Sequence, residues 1–136
     1  MEKFTFEQLK TFLDEKYLEY NNQSFIETDP IQIPHKFEQK ENIEISGFLA
    51  STIAWGQRKS IISNSKKMME LMENNPIDFL KNVSDNEIDK VSGIVHRTFN
   101  SEDFRFFVKS LKNIYLNYGG LEKVFADGYK RNNSVK

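Results

Sequence analysis

The stretch from Ile43 to Met72, IEISGFLASTIAWGQRKSIISNSKKMMELM, constrains the chain most, because it can only be two helices joined by a tight polar corner. Ile45, Phe48, Leu49, Thr52 and Ile53 recur at three- and four-residue steps, the signature of one helical face. Gly47, Ala50, Ser51 and Ala54 fill much of the remaining circumference. Side chains that small let neighbouring backbones approach, so the helix is expected to be buried on more than one side. It should start near Glu41 or Asn42 and stop at Gly56, the residue best able to take a left-handed conformation. A second helix then starts at Lys59 or Ser60, with Ile61, Ile62, Ser65, Met68, Met69 and Met72 on its apolar face.

The flanks read as helices too. Thr5 and Gln8 have capping-box spacing, Phe4 and Leu9 are placed as a staple, and Phe6, Leu9, Phe12, Leu13, Tyr17 and Tyr20 form a stripe expected to pack. Residues 21–40 break the period with Asn21, Asn22, Pro30 and Pro34, and are expected to be an extended connector strapped down by Phe25, Ile26, Ile31, Ile33 and Phe37. Asn75-Pro76 opens a short helix with Ile77, Phe79 and Leu80 as anchors, and Ser84 with Glu87 opens another. Residues 93–100 are a short β-branched stretch. Asn100 or Ser101 then caps a long helix with the cleanest stripe in the chain, Phe104, Phe107, Val108, Leu111, Ile114, Tyr115 and Tyr118, stopped by Gly119-Gly120. One or two turns from Leu121 to Phe125 and a flexible tail over 130–136 complete the reading. The expected architecture is all-α, a compact multi-helix orthogonal bundle formed as a single helical domain over 1–136.

Composition narrows the function classes. Aromatic residues make up 13% of the chain, enough to fill one core. Nineteen Lys and Arg against twenty Asp and Glu leave a formal charge of −1, so any anion site must be a local patch. The absence of cysteine excludes disulfides and thiolate sites and fits the cytoplasm. No apolar run is long enough for a membrane span or a signal peptide. His35 and His96 have no metal-ligand partners at helical spacing, Gly119-Gly120 lacks the Lys-Ser/Thr of a phosphate loop, and no serine lies in a nucleophile elbow. Neither a metal nor a cofactor is expected, and catalysis by these residues alone has little support.

One polar constellation stands out: Trp55, Gly56, Gln57, Arg58, Lys59 and Ser60. It combines a π face, an amide able to meet a base edge, two cations and a hydroxyl at a helix N-terminus, where free N–H groups and the dipole favour phosphate. The plain alternative makes Trp55 a core residue and Arg58 and Lys59 ordinary surface charges. His35, Lys36, His96 and Arg97 are accessory candidates. Lys109 and Lys112 would extend a patch, although Glu102 and Asp103 lie between them and His96-Arg97.

Residues 29–37, DPIQIPHKF, with the stretch from Glu41 to Met72 and the run from Asn100 to Phe125, resemble an uncharacterised bacterial family, a domain of unknown function whose members extend well beyond this length. The segment EISGFLASTIAWGQRKSIISNSKKMMEL followed by PIDFL is also similar to the start of the helix-hairpin-helix base-excision DNA glycosylases. That resemblance implies a glycosylase-like helical lobe and a corner, at Gly56 or Gln57 depending on register, that enters the gap left by a flipped base. The glycosylases' hairpin and catalytic aspartate have no counterpart here. The resemblance therefore implies an inactive N-terminal part of a two-lobe protein, with DNA as partner and an apolar face covered by the missing lobe or by a homodimer. The rival reading is a helical protein-interaction module that uses the aromatic stripe and an exposed Met68, Met69 and Met72 region as its binding surface. A third reading is a hydrolase working through His35 or His96.

Overall fold

A computed structural model describes residues 4–134. Thr5 caps α1 (Phe6–Tyr20) with its capping box to Gln8. Then come α2 (Gln23–Thr28), two single 3-10 turns at Pro30–Gln32 and Pro34–Lys36, α3 (Lys40–Thr52), α4 (Arg58–Leu71), α5 (Pro76–Asn82) and α6 (Asp85–Lys90). A two-residue-per-strand hairpin, β1 (Val95–His96) and β2 (Phe99–Asn100), precedes α7 (Ser101–Asn117) and α8 (Leu121–Asn132). The architecture is all-α, as the periodicity requires.

The core is built on α3, which packs against α4 and α5 and touches α8, while α7 closes it from the other side through α5 and α6. Ile45 and Leu49 of α3 and Ile53 just after it are fully buried with Met68 of α4, Met72 at its C-cap, Leu80 of α5 and Phe104, Val108 and Leu111 of α7. Met68, Met69 and Met72 are thus core residues, and the exposed methionine surface of the interaction-module reading does not exist. Lys66, Lys67 and Glu70 lie on the outer side because Ile61, Ser65 and Met68 set which face of α4 turns inward.

Residues 21–40 are not an extended connector. Asn22 accepts from the Phe25 amide to start α2, and Asp29 accepts from the Ile31 amide to start the first 3-10 turn. Pro30 and Pro34 each occupy the first position of a turn, where a missing N–H costs nothing, so the prolines begin helical pieces here. Ile33 is the buried strap. At the far end the Leu121 segment continues for twelve residues as α8, so 130–132 are helical. Residues 135 and 136 of the expected tail lie outside the described residues.

The small-residue face of α3 also departs from expectation. Ala50 is buried, but Ser51 and Ala54 are exposed. At Gly47 the Pro34 side chain packs directly on the helix, its Cβ 3.7 Å from where a glycine Cβ would be. A cleft lies between the 3-10 turns and the Gly47, Ala50, Ser51 and Ala54 side of this segment.

The N-terminal stripe is the largest departure. No residue of α1 is buried, and Phe6, Leu9, Phe12, Leu13, Tyr17 and Tyr20 are all exposed. Phe4 stacks on Phe12 with ring centroids 6.1 Å apart.

Asn42 is the polar keystone of the core. Almost fully buried, its Oδ1 accepts from the Ile77 amide at 2.8 Å, which caps α5 from a helix 35 residues upstream, and its Nδ2 donates to Asn75 at 3.1 Å. Asn75, the α5 N-cap by position, makes no side-chain cap bond to the α5 backbone. Asn42→Ala strands the Ile77 amide, and chemical unfolding is expected to show a loss of about 1–3 kcal/mol, the cost of an unsatisfied buried donor. Nearby, Tyr115 donates to Glu44 at 2.7 Å; burial, then this carboxylate, pushes its phenol well above the ordinary tyrosine range.

Candidate nucleic-acid interface

The corner between α3 and α4 is exposed from Ala54 to Ser60. Helix α3 ends before it because Ser51 and Thr52 both turn their hydroxyls back to the Phe48 carbonyl, each at 2.8 Å, competing with the backbone for the last acceptors. The chain turns through Ile53 and Ala54, and Gly56 adopts φ +101°, a conformation open to glycine. Gly56 therefore shapes the corner itself and does not stop the helix, which has already ended at Thr52. Helix α4 then begins at Arg58. Its N-cap, Gln57, makes no side-chain cap bond, and its first turn holds no acidic residue. Its opening N–H groups and its dipole thus lie beside Arg58 and Lys59.

The hairpin organises this corner from 40 residues downstream. His96 is buried, its Nε2 lies 2.9 Å from the Trp55 carbonyl, and its Nδ1 lies 3.2 Å from Asn64 Nδ2. A carbonyl can only accept, so Nε2 carries the hydrogen and Nδ1 accepts from the Asn64 amide. The second N–H of that amide serves the Ser60 carbonyl at 3.0 Å. The Trp55 ring meets His96 edge-on, with centroids 5.4 Å apart. His96 is therefore a strut that ties together β1, the corner and the first turns of α4, with both ring nitrogens committed. A hydrolytic role needs a free imidazole nitrogen, and His96 offers none.

The residue after His96 completes the corner. Arg97 sits at the first position of a two-residue turn with φ +56°, a strained backbone for a side chain of this size. That turn lays its guanidinium over Gly56, where a Cβ would stand 3.1 Å from Nη1. Lys59 and Arg97 form no ion pair among the described residues. Arg58 lies 3.8 Å from Asp29, at the outer edge of pairing, and 5.7 Å over the Phe25 ring. The corner thus holds three guanidinium or ammonium groups, only one of them partly neutralised. Lys109 and Lys112 are engaged elsewhere, with Asp89 and Asp85, and add nothing to it.

Beside the corner the cleft left by the small face of α3 measures about 460 Å³, with Pro34, Gly47, Ala50 and Ala54 among its walls and Asp29 and Arg58 at its polar edge. His35 and Lys36 line other grooves, His35 with Tyr17 and Tyr20, Lys36 with Met69 and Glu70. Sequence reading missed Asp29, Asn64 and the cleft. The only local hint was the β-branched character of 93–100, which signals a hairpin without saying what it touches.

The profile of a family described as a protein of unknown function, DUF2400, matches residues 29–136. The chain belongs to that family. No curated protein and no solved structure matches it. The DUF2400 region holds the whole corner, the cleft and the hairpin, and leaves α1 and all of α2 ahead of it. Among the described residues no group of three or more His, Asp or Glu side chains is placed to hold a metal ion, and no helix is long and apolar enough to cross a membrane.

Proposed function

We propose that this DUF2400 chain binds DNA through the corner at Trp55–Ser60, with Arg97 as an added phosphate contact. The observation that carries this reading is the convergence of Lys59, Arg97 and the uncapped N-terminus of α4 around an exposed Trp55. A helix N-terminus and unpaired cations suit a phosphate, and an indole beside them suits a base face. Strain at Arg97 adds support, since a costly backbone conformation persists where the surrounding structure imposes it, and such positions cluster at functional sites. The resemblance of 44–71 to the opening helices of helix-hairpin-helix glycosylases favours DNA carrying a gap or unpaired position, with Gln57 as the residue that enters it.

Fluorescence anisotropy with a labelled gapped duplex at low salt tests this. Binding is expected to be weak, because the net charge is −1, and to weaken as salt rises. Lys59→Glu combined with Arg97→Glu should weaken it at least tenfold and reduce the salt slope by about 2, roughly one unit for each lost phosphate contact. Gln57→Ala should erase the preference for gapped over intact duplex. A wild-type chain that binds neither duplex at low salt overturns the reading.

A further inference from the structure

The structure leaves two amphipathic helices with apolar faces turned to solvent, one at each end of the chain. On α1 the stripe from Phe6 to Tyr20 is exposed along its whole length, and on α8 Val124, Phe125 and Tyr129 are exposed. We infer that this chain forms a two-fold dimer in which α1 of each copy packs on α8 of the other.

Area supports a partner of this size. Taking about 100 Å² of exposed surface on each apolar side chain of the two stripes, one α1–α8 contact covers roughly 900 Å² in all. A two-fold axis makes two such contacts, about 1,800 Å², inside the range of stable specific interfaces. The α1 stripe by itself is about as large as the largest apolar patch that soluble monomers leave uncovered, typically about 300–600 Å².

Charge selects which face meets which. Helix α1 carries Glu7, Asp14, Glu15 and Glu19 against Lys10 and Lys16, a net of −2. Helix α8 carries Lys123, Lys130 and Arg131 against Glu122 and Asp127, a net of +1. Within α1 Lys10 pairs with Asp14 and Lys16 with Glu19, which leaves Glu7 and Glu15 to set its sign, so pairing α1 with a second α1 brings two negative helices together. Juxtaposed like charges suppress such pairings. Pairing α1 with α8 joins opposite net charges, and the two-fold axis closes the assembly without leaving either face free. The corner at Trp55–Ser60 takes no part, so the dimer stands or falls separately from DNA binding.

Sedimentation velocity on the full chain at micromolar concentration is expected to give twice the 16.0 kDa monomer mass. Leu13→Glu and Phe125→Glu each place a charge in one face, and each variant should sediment as a monomer. Both side chains are more than half exposed, so neither substitution opens the core, and circular dichroism should show unchanged helix content. Tyr17→Glu and Tyr129→Glu serve as replacements if either variant loses structure. Mixing the two variants leaves one intact contact of roughly 900 Å², below the range of stable interfaces, so the mixture should associate only at higher protein concentration than the wild-type chain. Two variants altered in the same helix, Leu13→Glu with Tyr17→Glu, should not associate. A monomeric wild-type chain, or a folded variant of either helix that still sediments as a dimer at the wild-type concentration, overturns the inference.

Discussion

Phe104→Ala is expected to lower the unfolding free energy by about 3–5 kcal/mol, the range for deleting a buried aromatic ring. Phe104 is 1% exposed and belongs to the same buried cluster as Leu49, Met68, Leu80 and Ile88. It also sits one turn inside α7, just after Asn100 accepts from the Glu102 and Asp103 amides, so its backbone is fixed and cannot move to fill the hole. Such a loss is a large fraction of the roughly 5–15 kcal/mol that holds a typical domain folded. Urea titration checks it: the midpoint should fall sharply with little change in slope. Phe106, two residues on, is 69% exposed, and Phe106→Ala should stay within about 0.5 kcal/mol of the parent chain. Equal losses from both substitutions would mean that α7 turns a different face to the core.

That contrast was legible in the sequence because it is local. The α7 stripe repeats every three or four residues, and Phe106 falls outside it. The caps at Thr5, Ser84 and Asn100 are likewise three-residue signals, and all three form as spaced. What failed depends on tertiary placement. Pro30 and Pro34 read as breakers because proline stops a helix that precedes it, but the same residue starts one that follows; Asp29 caps the turn at Pro30, and the turn at Pro34 forms with no side-chain cap. The α1 stripe shows that a helix is amphipathic and says nothing about whether a partner lies on it. Helix α8 was cut short by its polar residues and Gly128, which a helix tolerates at a cost of about 1 kcal/mol. The candidate site divides in the same way. Trp55, Arg58 and Lys59 are adjacent in the chain and visible as a cluster. The contact of His96 with the Trp55 carbonyl, 41 residues away, leaves no periodic trace.

His96→Ala should therefore act on the corner and on the fold together, and the two effects can be separated. Removing the ring deletes a buried side chain and the bonds to Trp55 and Asn64, with an expected cost of about 2–4 kcal/mol in urea unfolding. Locally, the Trp55 carbonyl loses its donor and the indole loses the ring it meets edge-on. Trp55 is the sole tryptophan, so its fluorescence reads this site alone. Its emission should shift to the red under conditions where circular dichroism still shows a folded chain, because the released indole meets more water. His96→Gln keeps an N–H that can donate to the Trp55 carbonyl, and it should restore part of the emission before it restores stability. If the corner is the DNA contact, His96→Ala should weaken gapped-duplex binding although His96, being buried, meets no solvent and thus no phosphate. An unchanged emission in a folded His96→Ala chain would show that the corner holds its shape without the strut.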